Sequence, residues 1–435
     1  MEDDSVIIEN KKNIKDIINV VHLGLSFLLV FMAFSVSQTF QTSSDHGRQG
    51  AIALGILYAS YALSSLFLSS FVTRLLGIKL TLFLSSLTYV SFVAVNIKFN
   101  VYTLYFISAL VGVGSSLIWT AQGVYVSLST TQHEIANHFE PSSKRGIFNG
   151  LFFCCFQMNT TIGFGVASLL FYLNIELWLI FIILTVIGVI GSISLLFLRQ
   201  VETDHLEQRS VFSSISLLAD SKQLLMAPLI CYTGIQFSYL YGSIPPLILS
   251  KSLKFLVYAT YGMTNAASSV LFGRLSDLAH RRIYFFAFAT ILHLTVYMLL
   301  ITVWSPPIDQ SQIYIFFIII NCLAVADGIF LTQIYSVLGT LFNNIPPFDI
   351  FANFKLFQST FIALAFVSRN YLSFEIQTYL CIGWLLMGLG LLIICHNGFY
   401  SIDISQPNTT ANKELDDAIE PHLMIEIKRL STLED

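Results

Sequence analysis

Long apolar runs alternate with short polar breaks from Val20 to Asn397, six on each side of one charged interruption between Arg199 and Gln223. Each run approaches the ~20 residues that an α-helix needs to cross a hydrocarbon core of ~30 Å, and the longer ones allow for tilt. The breaks predict helices at 20–40, 50–72, 80–97, 102–128, 147–172 and 175–198, then at 224–248, 256–276, 283–303, 312–340, 351–370 and 376–396. The pattern therefore predicts an all-α membrane protein with twelve transmembrane helices. They form two six-helix halves, 20–198 and 224–397, joined by a linker at 199–223 and flanked by tails at 1–19 and 398–435. Proline lacks a backbone donor and is disfavoured inside a span. Pro141, Pro228, Pro245, Pro246, Pro306, Pro307, Pro346 and Pro347 all fall at predicted span ends or in connections.

Composition agrees with a lipid solvent. The chain is 55% hydrophobic and 11% charged, whereas soluble domains carry about 25% charged residues. Its first apolar run exceeds the ~7–15 residues of a cleavable signal core, so it is expected to stay as an anchor. Within the linker, Val211, Ile215 and Leu218 share a helical face, which suits a short helix lying on the membrane surface.

Orientation follows from the basic residues, because cytoplasmic connections keep Lys and Arg during insertion. With the predicted spans, every Lys and Arg except Arg48, Lys98, Lys251, Lys254 and Arg369 falls on one side, Lys355 included. Both termini are thus expected in the cytoplasm. The sequon at Asn408 is expected there too, and the one at Asn159 inside the fifth span.

Several function classes find no support. No basic stripe suggests nucleic acid. The six cysteines lie in or beside apolar runs without metal-ligand spacing, so neither a metal site nor any other cofactor is indicated. His133 and His138 stand five apart, off a shared ligand face, and no nucleophilic triad, phosphate-cradling loop or pair of buried carboxylates predicts an enzyme.

The most specific local pattern is Gly273-Arg274-Leu275-Ser276-Asp277-Leu278-Ala279-His280-Arg281-Arg282, between the eighth and ninth spans. Gly273 allows close helix approach, Asp277 can cap or pair at a helix end, and Arg281 and Arg282 can bridge helix ends or lipid phosphates. The pattern resembles the cytoplasmic loop of the major facilitator superfamily. The matching first-half connection, Thr73-Arg74-Leu75-Leu76-Gly77-Ile78-Lys79, keeps basic residues and glycine but lacks the aspartate, a weak internal repeat.

Four further stretches look like the Unc-93-like (uncoordinated-93) family within that superfamily. They are Tyr58–Ser65, Trp119–Tyr125, Ala326-Asp327-Gly328 with Thr332–Tyr335, and Phe351–Ser359. The resemblance covers nearly all of Val20 to Asn397 and implies a major facilitator fold. It also implies a non-enzymatic accessory or regulatory role, since members act as regulators of a potassium channel or as escorts of receptors. The alternative is a secondary transporter of a small solute, proton-coupled through Asp327.

Asp327 is the only acid expected deep within a span, and ionised carboxylates there cost at least ~2.5 kcal/mol on insertion scales. It is read either as a proton or cation relay or as a structural acid satisfied by Thr332, Gln333 or a neighbouring span. Trp119, Gln122, Gln236, Asn265 and Gln333 complete the candidate intramembrane site, and Gln38, Asn96, Gln157 and Asn159 are further amides suited to a central cavity or to interhelical bonds. His293 reads as a core histidine. Gly146 and Gly150 form a small-xxx-small packing motif. Asp327 stands nearly alone among intramembrane charges, with Arg369 near an outer end, and this scarcity favours the accessory reading. Expected partners are the lipid bilayer and another integral membrane protein or a small solute.

Overall fold

The computed structural model describes residues 2–43, 47–173, 175–201, 217–248, 251–279, 282–304, 312–342, 347–369 and 371–395. Arg281, the sequon at Asn408 and most of the expected surface helix in the linker lie outside them. The chain runs through α1 (Glu2–Ser43), α2 (Gly47–Phe67), α3 (Ser69–Leu76), α4 (Ile78–Ala94), α5 (Val101–Ala136), α6 (Arg145–Tyr172) and α7 (Leu177–Leu195). It continues through α8 (Ser221–Ser238), α9 (Lys251–Ala279), α10 (Arg282–Thr302), α11 (Ile313–Leu341), α12 (Pro347–Ser368) and α13 (Phe374–Cys395). No strand occurs among the described residues. Nine of the described helices are long and apolar enough to cross a membrane, and Ile52–Ser65 and Ile78–Ala94 are shorter apolar stretches.

Several expected boundaries move. The expected second span is two helices, α2 and α3, and the chain then turns at Gly77, whose φ of 76° lies in the left-handed region open to glycine. Asp220 starts α8 earlier than expected by accepting the Lys222 and Gln223 amides at 2.8 and 3.2 Å. Pro228 consequently sits inside α8 rather than at its end. The same helix finishes in a π turn at Tyr239–Ser243 and a 3-10 turn at Pro245–Leu247, where two prolines without N–H groups stop the regular ladder.

Burial is periodic although hydropathy is not. On α13 the buried positions Thr378, Cys381, Leu385, Gly388, Leu392 and Cys395 recur at three and four residues, while Tyr379, Leu386 and Ile393 face outward. On α7 Leu184, Gly188, Gly191 and Leu195 turn inward, and Val186, Ile190 and Ile193 turn outward. With lipid outside, the inward face is marked by small and weakly polar groups that let backbones approach, since both faces are apolar.

α6 packs closely along α9. A Cβ on Gly273 would lie 2.5 Å from the Gly146 carbonyl oxygen, one on Gly150 2.6 Å from that of Ser269, and one on Gly262 2.7 Å from the Thr161 nitrogen. Three contacts at such spacing hold the two helices antiparallel along most of their length. α2 packs along α12.

Candidate functional site

These packings leave a cavity of about 160 Å³ bounded by α1, α2, α4, α5, α6, α8, α9, α11 and α12. Its walls are mostly rings, among them Phe31, Tyr61, Tyr89, Trp119, Phe156 and Phe330, with amides from Gln38, Gln157, Asn159, Gln236 and Gln358. Such a lining, apolar with a few convergent polar groups, is the usual make-up of a small-molecule site. Towards the end where α1 begins, the ring of Tyr335 stacks on Phe351 and meets Phe153 and Phe354 edge-on, with centroids 5.1–5.2 Å away.

Asp327 forms part of one wall. Its Oδ2 accepts from Gln236 Nε2 and from the Tyr261 hydroxyl, both at 2.8 Å, and Oδ1 lies 3.8 Å from His293 Nε2. His293 is fully buried, with Nδ1 against the Tyr232 hydroxyl and Nε2 3.3 Å from the Leu323 carbonyl. The acid is satisfied from α8 and α9, not from Thr332 or Gln333 on its own helix. Tyr261→Phe should remove one of two donors to it and lower stability by about 1.5–3 kcal/mol, as for other bonds to charged groups. Thermal unfolding in detergent measures this.

Lys355 corrects the sequence reading. Counted there on the cytoplasmic side, it is 5% exposed and lines the cavity. Its ammonium donates to Gln358 Oε1 at 2.8 Å and lies 4.5, 4.6 and 5.6 Å from the ring centroids of Trp119, Phe354 and Tyr335. Gln358 is held in turn by donating to Thr233 at 3.1 Å. The signal was present in the sequence: Lys355, Gln358, Ser359 and Ile362 make an i, i+3, i+4, i+7 stripe through an apolar span, and a stripe that lines a cavity need not lie at a membrane surface. Asp327 is therefore not the lone intramembrane charge.

The other expected site residues divide. Trp119, Gln236, Gln38, Gln157 and Asn159 line the cavity together with Asp327. Asn265 stands one layer behind, donating to the Tyr261 hydroxyl at 3.2 Å. Asn96 bonds Ser37 and Gln41 away from it. Gln122 is fully buried outside the cavity, and neither of its amide atoms has a hydrogen-bond partner among the described residues. Gln333 lies six residues along α11 and belongs to a different cluster, because its Oε1 accepts from Arg282 at 3.1 Å.

That cluster is built on the Gly273–Arg282 segment. Asp277 accepts the backbone amides of Gly146 and Ile147 at 3.1 and 2.8 Å, capping α6, and receives Arg282 Nη2 at 2.9 Å. A carboxylate here also meets the positive end of the α6 dipole. Arg282 reaches on to Ser276 at 3.1 Å and to Gln333, so one loop ties α6, α9 and α11. The first-half connection supplies a counterpart that the missing aspartate concealed. Arg74 on α3 pairs at 2.8 Å with Asp349 in the first turn of α12. Glu134, in the segment read as a poor metal motif, instead accepts the Ser142 and Lys144 amides at 2.9 and 2.8 Å and shapes the α5–α6 connection.

A helical bundle with this many apolar spans and a polar interior defines a multi-pass membrane protein. The chain belongs to the Unc-93 family: the family described as "Ion channel regulatory protein UNC-93" matches residues 41–394. Among similar proteins, UNC93-like protein 3 of Arabidopsis thaliana is 27% identical over 376 residues, covering 81% of this chain and 80% of that protein. Protein unc-93 homolog A of Homo sapiens is 26% identical, covering 84% and 90%. The putative potassium channel regulatory protein unc-93 of Caenorhabditis elegans is 24% identical, covering 87% of this chain and 61% of the relative.

Proposed function

We propose that this chain is a non-enzymatic accessory protein that regulates another integral membrane protein, an ion channel or a receptor. The observation that carries this reading is the family match across 41–394, together with the regulatory names of its members. We assign it the twelve-helix major facilitator arrangement with both termini cytoplasmic. The halves 20–198 and 224–397 meet through α6 with α9 and α2 with α12, and the two mirrored ties, Asp277 to α6 and Arg74 to Asp349, support that division. The outward apolar faces of helices such as α7 and α13 are then the surfaces that meet lipid and partner. Proximity labelling and detergent co-purification should recover an integral membrane partner, and recovery at background level only would remove the reading.

A second reading, secondary transport of a small solute, is favoured by the cavity. Charge scarcity inside the bundle no longer argues against it, because Asp327 and Lys355 both line that space. Rings stacked beneath the cavity and ties at the α6–α9 end are what a carrier closed on one side requires. Asp327→Asn keeps shape and removes the charge, so it should abolish pH-driven uptake in reconstituted vesicles. Unchanged uptake would exclude Asp327 from coupling.

A further inference from the structure

Lys355 carries a charge problem that the protein alone leaves open. Its ammonium has three donors, yet the described side chains give it one polar acceptor, Gln358, and three ring faces. Ring faces attract a cation without neutralising it, and a buried ion is retained at low cost only when paired and hydrogen-bonded. Asp327, which shares the cavity, is engaged elsewhere by Gln236 and Tyr261, with His293 beside its other oxygen. No carboxylate among the described residues forms an ion pair with Lys355.

We propose that the cavity binds a small monocarboxylate with a ring-sized apolar body, its carboxylate on Lys355 and its body against Phe31, Trp119 and Phe156. The inference rests on reading the cavity as a solute site. The chemistry follows from the lining. A single cation takes a single carboxylate, and a dianion would place its second charge in a space that already holds Asp327. Size follows from volume: cavities of roughly 150 Å³ accept benzene, and this one measures about 160 Å³. The apolar body gains the ring contacts, while a free carboxylate supplies the charge-assisted acceptor that the ammonium lacks.

The test uses full-length protein in nanodiscs, with benzoate and 3-phenylpropionate as probes. Benzamide serves as the neutral isostere, and phenylalanine as a probe that adds an ammonium to 3-phenylpropionate. Both carboxylates should raise the melting temperature and quench Trp119 fluorescence saturably, the quench disappearing in Trp119→Phe. Benzamide and phenylalanine should bind at least about tenfold more weakly, the first for loss of one charge-assisted bond, the second because its α-ammonium, fixed beside the carboxylate, is held against the like charge of Lys355 while Asp327 is engaged by Gln236 and Tyr261. Lys355→Met should lose carboxylate binding while melting no lower without ligand, because replacing a buried ion by an apolar chain is often neutral or stabilising. Lys355→Arg should keep part of the binding. Equal binding of benzamide, tighter binding of phenylalanine, or carboxylate binding unaltered in Lys355→Met would each overturn the proposal, as would no binding of either carboxylate. Binding without uptake into vesicles would remove the carrier reading and leave the ligand assignment standing. Uptake of another solute, unchanged in Lys355→Met, would do the reverse.

Discussion

Asp277→Ala should destabilise the protein by about 3–5 kcal/mol, the range for breaking one side of a buried pair. Three contacts vanish together: the Gly146 and Ile147 amides at the start of α6 lose their cap, and Arg282 loses its carboxylate. Both charged side chains are largely buried, at 9% and 13% exposure, so water can replace little of what is lost. A double-mutant cycle separates the parts. Arg282→Gln combined with Asp277→Asn removes both charges, leaving no stranded ion, and should fall less than the sum of the single changes. The cycle is measured by thermal unfolding in detergent. Additive losses would mean that the two side chains act independently. The same substitution should loosen the α6–α9 end, so that a cysteine placed at Ser276 reacts faster with a water-soluble maleimide.

Gly273→Val should be comparably severe for a different reason. The first added atom would stand 2.5 Å from the Gly146 carbonyl, and backbone on a packed helix cannot step aside as a flexible side chain can. Overpacking of this kind costs about 1–3 kcal/mol where neighbours relax. Here the Gly150–Ser269 and Gly262–Thr161 contacts must move with it, so the loss should reach or exceed that range. Yield of monodisperse protein on size exclusion and the melting temperature both report it. Gly390→Val, at a helical glycine with nothing within 4 Å of an added Cβ, should leave both nearly unchanged. A similar melting temperature for the two variants would show that the α6–α9 contact is not a close one in the membrane.

The fold and the site were legible in the sequence to different degrees. Membrane-spanning helices were readable because no other medium tolerates such runs, and nine described helices are long and apolar enough to cross a membrane; their ends, and the division of the second run into α2 and α3, are decided by caps and turns. Asp220 and the break after Phe67 moved boundaries that hydropathy alone cannot place. The Gly273–Arg282 pattern named its own chemistry, and Asp277 does cap a helix. The segment that receives it, the start of α6, lies far away in sequence, so no local reading could supply the partner. Arg74 was visible, whereas Asp349, its partner, sits in a stretch that reads as a loop.

The cavity was the least legible part. In a membrane helix both faces are apolar, so the face that turns inward is not announced by hydrophobicity. Asp327, Trp119 and Gln236, singled out by being polar or aromatic in an apolar run, line the cavity. Gln122 and Gln333, equally polar, turn elsewhere, and Lys355 was mistaken for a surface cation because charge sorting assumes that lysines seek water.

By itself the sequence determined the solvent, the helical class and the family, because each depends on residue type and spacing along the chain. Tertiary structure alone decided which charges share a space. Whether Lys355 meets lipid, water or a cavity depends on how α12 rotates against α2, α5 and α8, and that rotation is fixed by packing between segments more than a hundred residues apart.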